Sequence, residues 1–272
     1  MTGAGPRPLE IRGAALRRDG RALWAGLDLS VEPGELVAVL GPSGAGKTTL
    51  LRAILGLEPL SAGTISALGE PVRRRGNRRV GYVPQQRPLP PETALRGRDV
   101  VMLGVDGHRF GLPIPRRADR RRAAALIDEV GASAFADRAV GVLSGGEQQR
   151  LRIGQALADD PKLLLCDEPL TSLDLANQRA VIGLIDRHRR EAGAGVLLVT
   201  HDINPVLGVV DRILYLANGR FTLGEPDDVL NSRVLTDLYG VPVYVLRAGD
   251  RLVVVGAPDA EASHHHHDGG PA

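Results

Sequence analysis

The sequence predicts an α/β fold with a mainly parallel sheet at its core. Three short runs of strand formers, Leu36–Leu40, Leu163–Cys166 and Val196–Val199, are apolar without alternation, as strands covered on both faces must be. Asn177–Arg190, between the second and third runs, has helical spacing and supplies the strand–helix–strand rhythm of parallel pairing. At 272 residues, 43% hydrophobic and 24% charged, one core domain of roughly 200–250 residues is expected.

Taken in order, residues 8–40 read as strands broken by turns, with Asp19-Gly20 as a hairpin signal. A glycine-rich loop follows Leu40, and Thr48–Leu57 has helical apolar spacing. Residues 63–67 and 80–83 add short strands. From about 93 to 160 the pattern is helical: Ala118–Val130 is an amphipathic stretch ended by Gly131, and a helix resumes over Gly145–Ala158. Residues 213–223 and 241–255 read as strands. The tail from Gly256, rich in Ala, Gly, Asp and His, is expected to be disordered.

Composition narrows the function classes. No apolar run approaches the ~20 residues that span a bilayer, and no basic–apolar–cleavage pattern opens the chain. The single cysteine, Cys166, forms no intrachain disulfide, fits a reducing cytosol and reads as a small buried hydrophobe. A net charge of +2 gives no ground for expecting nucleic acid. Two basic runs, Arg73–Arg75 with Arg78-Arg79 and Arg116-Arg117 with Arg120–Arg122, read either as solvated surface or as contacts to an acidic leaflet or a membrane subunit.

The loop after Leu40 reads Gly41-Pro42-Ser43-Gly44-Ala45-Gly46-Lys47-Thr48, followed by Thr49. Strand, glycine loop and helix together make a phosphate cradle. The glycines let consecutive N–H groups curl towards one anion, and the helix N-terminus adds partial positive charge. Lys47 can reach the β- and γ-phosphates, and the Thr48 hydroxyl can ligate Mg²⁺. Of 34 basic Lys and Arg residues only Lys47 and Lys162 are lysine; lysine stands where a planar guanidinium would fill a phosphate cradle poorly. At the end of the apolar run 163–166, Asp167 is placed to hold Mg²⁺ and Glu168 to polarise an attacking water as a general base.

Leu143-Ser144-Gly145-Gly146-Glu147 resembles the signature of the ATP-binding cassette (ABC) ATPases, and from about residue 8 to 225 the motifs follow that family's order. The resemblance implies a P-loop NTPase nucleotide-binding domain with an antiparallel β subdomain and a helical subdomain. The expected division is a cassette at 8–245, with helices at about 93–160, and a strand and flexible tail at 246–272. It further implies that Gln85, in Gly81–Gln85, touches Mg²⁺ and the water. Asp167 and Glu168 match the second Walker motif, Asp174 in Ser172–Asp174 sits at a dimer interface, and His201 in Thr200–Asp202 contacts the γ-phosphate. Ser144, Gly145 and Gly146 of one copy would close over ATP held by Lys47 of another, so an ATP-closed homodimer is expected. Two positions depart from the pattern. Arg18 stands where an aromatic residue usually stacks on adenine, and can stack through its guanidinium plane. Glu147 replaces a commoner Gln.

Arg98–Gly104 and His201–Val206 are similar to segments of the ATPases of bacterial zinc, manganese or iron importers, with siderophore importers as near relatives. That resemblance implies ATP and Mg as ligands, membrane permease subunits as partners, indirect service to an extracytoplasmic metal-binding protein, and a peripheral place on the cytoplasmic face of the plasma membrane. His264, His265, His266 and His267, with Asp268, read either as a native transition-metal-binding tail or as a tag remnant. An ATPase for a siderophore or another solute, and a soluble non-transport ABC ATPase, are the alternatives. Neither a second cassette nor a long coiled-coil insertion supports the latter.

Overall fold

The computed structural model describes residues 5–18, 20–74, 76–85, 90, 92–107, 116–249 and 251–256. Strands β1 (Leu9–Arg18) and β2 (Arg21–Val31) form a hairpin whose turn contains Gly20 at φ 79°. With β4 (Ala62–Ala67) and the two-residue β5 (Glu70–Pro71) they make an antiparallel sheet in the order β2-β1-β4-β5.

The main sheet has six strands: β3 (Leu36–Leu40), β6 (Val80–Val83), β7 (Leu163–Asp167), β8 (Gly195–Val199), β9 (Arg212–Ala217) and β10 (Arg220–Gly224). Their order is β10-β9-β3-β8-β7-β6, all parallel except the β9–β10 hairpin at one edge. The continuous apolar runs are explained by two cores on opposite faces. Val37, Val39, Leu163, Leu165, Leu197 and Val199 face the antiparallel sheet, with helix α1 (Lys47–Ile54) between the sheets. Leu36, Ala38, Leu164, Cys166, Val196 and Leu198 face the other way, onto helices α2 (Gly97–Asp106), α3 (Arg117–Glu129), α4 (Gly145–Ala156) and α5 (Leu175–Ala192). Cys166 is fully buried, and burial pushes its thiol pKa up, away from reactivity.

Beyond β8 the structure is finer-grained than the sequence suggested. The expected strand at 213–223 is two strands, because Asn218 and Gly219 take φ 52° and 76° and reverse the chain in the manner of a two-residue hairpin turn. Two unexpected helices follow, α6 (Pro226–Val229) and α7 (Ser232–Tyr239). The Asn231 side chain caps α7 by accepting from Val234 N at 2.9 Å, and Gly240 ends it at φ 72°. The span 241–255 is also a hairpin, β11 (Tyr244–Ala248) and β12 (Arg251–Val255), so the boundary expected at 245/246 falls inside β11. Helices α1 and α4 stop at Ile54 and Ala156, short of the expected Leu57 and Ala158, while α5 gains two residues at each end.

Candidate functional site

Gly41 leaves β3 at φ 140°, and a Cβ there would lie 2.0 Å from the Leu216 carbonyl oxygen. Gly44 and Gly46 hold φ 80° and 92°, and a Cβ on Gly46 would come within 3.0 Å of Nε1 of the buried Trp24. Only glycine fits this cradle without strain. The loop closes on itself with Ala45 N donating to Pro42 O at 3.2 Å, and runs into α1 with Leu50 N donating to Gly46 O at 2.8 Å. Lys47 folds back over the loop, its Nζ donating to the Gly41 and Pro42 carbonyls at 2.6 and 3.0 Å. Burial lowers its pKa, against the pull of Glu168 and Asp167. Ser43, Gly44 and Thr48 form the exposed rim, and Thr49 is buried behind them.

The carboxylates stand at the end of β7. Thr48 Oγ1 donates to Asp167 Oδ1 at 3.1 Å, and the Tyr82 hydroxyl to Asp167 Oδ2 at 3.4 Å. Asp167 is 2% exposed, and burial raises its pKa despite those two bonds. Burial, reinforced by the Asp167 charge, pushes the Tyr82 phenol up to about 12. Two oxygens from a threonine and a carboxylate, beside a lysine, are the hard donors Mg²⁺ accepts. Glu168 follows at φ 47°, a left-handed backbone that costs a non-glycine residue about 1–2 kcal/mol. Its amide is anchored to Val199 O at 2.9 Å. Three side chains gather on its Oε2: Thr171 Oγ1 at 3.1 Å, Gln85 Nε2 at 3.2 Å and His201 Nδ1 at 3.7 Å. The His201 ring is 61% exposed, so this cluster opens to solvent.

The signature residues lie elsewhere. Ser144 caps α4 in a reciprocal box: its Oγ accepts from Glu147 N at 3.3 Å, and its own N donates to Glu147 Oε2 at 2.7 Å. The unusual Glu147 thus serves the cap, with Arg138 3.6 Å from its other oxygen. Gly145 and Gly146 open the helix, and a Cβ on Gly146 would lie 2.3 Å from the Asn177 carboxamide carbon. Asn177 is held in turn by Asp174 at 3.0 Å and Arg150 at 3.1 Å. Asp174 caps α5 by accepting from Asn177 N at 2.8 Å, a bond that lowers its pKa. Helix α4 packs in one core and α1 in the other, on opposite faces of the main sheet.

One chain therefore brings together Lys47, Thr48, Asp167, Glu168, Gln85 and His201, and separately Ser144, Gly146 and Asp174. Arg18 ends β1 opposite Arg21 and is exposed. A recess on the outer side of the phosphate loop is lined by Arg21, Leu23, Ser43, Gly44, Asn218 and Tyr239, without Arg18. His264–His267 lie outside the described residues, and among the described residues no group of three or more His, Cys, Asp or Glu is placed to hold a metal ion. Tyr82, Thr171 and Asn177 were not singled out from sequence. Tyr82 lies within the Gly81–Gln85 string and Thr171 three residues after Glu168, so the segments were visible but the contacts were not.

An ABC transporter family model matches residues 24–171. The zinc import ATP-binding protein ZnuC of Pseudomonas fluorescens (strain Pf0-1) is 36% identical over 260 residues, covering 96% of this chain and 87% of the relative. The zinc transport system ATP-binding protein TroB of Treponema pallidum is 38% identical over 199 residues, covering 73% and 74%. Among solved structures, an inward-facing ABC transporter of the metal-chelate type superposes with a TM-score of 0.76 at 28% identity, covering 91% of this chain and 96% of that one. With its cradle, paired carboxylates and capped signature helix in place, this chain belongs to the ABC transporter family, as one of its ATP-hydrolysing subunits.

Proposed function

We propose that this chain is the ATPase subunit of a bacterial importer for a metal cation, zinc foremost. The observation that carries the reading is the near full-length similarity to zinc-import ATP-binding proteins, one of them matched over 96% of this chain. No helix among the described residues is long and apolar enough to cross a membrane. In this reading the chain works against membrane permease subunits at the cytoplasmic face and draws on an extracytoplasmic metal-binding protein through them.

In the chemistry proposed, the amides of 41–49 and Lys47 bind the ATP phosphates. Thr48 and Asp167, with Gln85, would hold Mg²⁺, which neutralises phosphate charge when bound. The Glu168 carboxylate orients and deprotonates the attacking water; the gathering of Gln85, Thr171 and His201 on one of its oxygens supports this by fixing its direction. His201 faces the γ-phosphate. Ser144, Gly145 and Gly146 of a second copy present a helix N-terminus to the same phosphate, and Asp174 lies at that interface. Arg18 stacks on adenine from the rim. His264–His267 bind zinc at micromolar affinity, which calorimetry on full-length protein and on protein lacking 264–268 tests.

The metal-chelate transporter structure favours a second reading, import of a chelated metal. Uptake of radiolabelled free zinc by cells with and without the gene separates the two. Loss of uptake supports the first reading. Unchanged zinc uptake with loss of chelate uptake supports the second.

A further inference from the structure

The segment after His201 is tied to the far end of the chain. Asn204 opens a 3-10 turn (Asn204–Val206), and its carboxamide makes a two-way pair with the backbone of β12. Its Nδ2 donates to Leu252 O at 3.0 Å, and Leu252 N donates to its Oδ1 at 2.8 Å. One side chain thus pairs with the strand as a neighbouring backbone would. The same Nδ2 donates to Asp202 Oδ1 at 2.8 Å, and Asn204 N donates to that oxygen at 2.9 Å. Asp202 is fixed from the other side by Thr200, whose Oγ1 donates to Asp202 O at 2.8 Å and accepts from Asp202 N at 3.2 Å. His201 stands between these two tied residues.

The hairpin that Asn204 grips is otherwise held to α6 and α7. Thr236 Oγ1 accepts from Val243 N at 3.0 Å and donates to Val243 O at 3.2 Å, Arg247 pairs with Asp227, and Val243, Val245 and Val254 pack on the core. Two-stranded sheets are marginal on their own. Leu252 is buried with Ile203 and Val206 in one core, and Ser232 Oγ accepts from Val245 N at 2.9 Å. The outer face is exposed, with Tyr244 and Leu246 on β11 opposite Val255 and Val253 on β12. Those anchors join the hairpin to α6 and α7 as one C-terminal unit, and the Asn204 pair links that unit to the turn beside His201, so a shift of the unit would reach the turn through it.

We propose that Asn204 is a positioning residue for hydrolysis: by clamping the C-terminal hairpin to the turn after His201, it makes docking of that hairpin set turnover while ATP affinity stays fixed. This rests on the role proposed above for His201. The Lys47 cradle lies in other elements and is not part of the clamp, which is why binding and turnover separate.

The test uses the full-length protein with Asn204→Ala, Asn204→Gln and His201→Ala, measuring kcat, equilibrium ATP affinity and hydrogen exchange at Leu252. Asn204→Ala removes both bonds to β12. It should speed exchange at Leu252 and lower kcat by about 10-fold, with ATP affinity within about twofold. Asn204→Gln keeps the neutral donor and acceptor on an arm one methylene longer, so it should fall between Asn204→Ala and the parent in both readouts, and it serves if Asn204→Ala folds poorly. Faster exchange with unchanged kcat would overturn the coupling; lower kcat with unchanged exchange would overturn the clamp. Parental turnover in His201→Ala would instead overturn the role given to His201.

Discussion

The phosphate-loop end and the signature end of this molecule are built on different terms. At the first, polar groups are held in costly states: Lys47 is buried, Asp167 is buried with a raised pKa, and Glu168 sits on a left-handed backbone. At the second, the helix ends are finished in ordinary ways, with a capping box at Ser144, a cap at Asp174 and a glycine that admits Asn177 between helices. Behind them Gln148 Oε1, both polar atoms of the Gln149 carboxamide and Arg150 Nε are buried without a hydrogen-bond partner among the described residues, and Ser172 takes φ 62°. The first end bears its costs on groups proposed to meet phosphate, Mg²⁺ and water; the second bears them behind its caps, in the body of α4 and the turn before Asp174.

The sharpest way to break this contrast is at Glu168. Glu168→Gln keeps the shape and removes the base, so hydrolysis should slow roughly 10²–10⁴-fold with ATP binding retained. Near-parental turnover by the purified variant would show that the cluster on Oε2 is not catalytic. A smaller effect is expected from Gly146→Ala. The new methyl must displace the Asn177 carboxamide from Asp174 and Arg150, which should destabilise the fold by about 1–3 kcal/mol in denaturant unfolding. Unchanged stability would mean that glycine is required there only for access to phosphate.

Smaller still, and opposite in sign, is Asp167→Asn. A raised carboxyl pKa means that the charged form is disfavoured in the folded protein relative to the unfolded chain. Removing the charge should therefore stabilise nucleotide-free protein by about 0.5–2 kcal/mol at pH 7 while abolishing hydrolysis. The gain should shrink as pH falls through the raised native pKa and vanish below the ordinary aspartate value, since the parent residue is then neutral in both states. Destabilisation at pH 7 would mean that the bonds from Thr48 and Tyr82 outweigh burial.

What could be read from sequence follows the same division. The cradle was legible because it is local: a strand, three glycines and a lysine within one turn determine its geometry. The parallel core was legible because doubly buried strands lose their alternation. The Asn218-Gly219 reversal carries a local signal that a continuous strand at 213–223 overlooks. Helix α7 has both caps, Asn231 and Gly240, yet its eight residues are too short for periodicity to announce them. Contacts across the fold left no local trace: Tyr82 on Asp167 spans 85 residues and Asn204 on Leu252 spans 48. The second purpose of Gly146, admitting Asn177, is equally invisible along the chain.

In the proposed dimer each ATP is enclosed by the loop of one copy and the signature of another. The most direct test is the mass in solution of full-length Glu168→Gln protein, by analytical ultracentrifugation with and without ATP, alongside Glu168→Gln combined with Ser144→Arg. The account predicts an ATP-dependent dimer for the single variant. The double variant should remain monomeric with its ATP affinity essentially intact, because position 144 acts across the interface. A double variant that dimerises as well as the single one, or that loses ATP affinity as a monomer to the extent Lys47→Ala does, would contradict it.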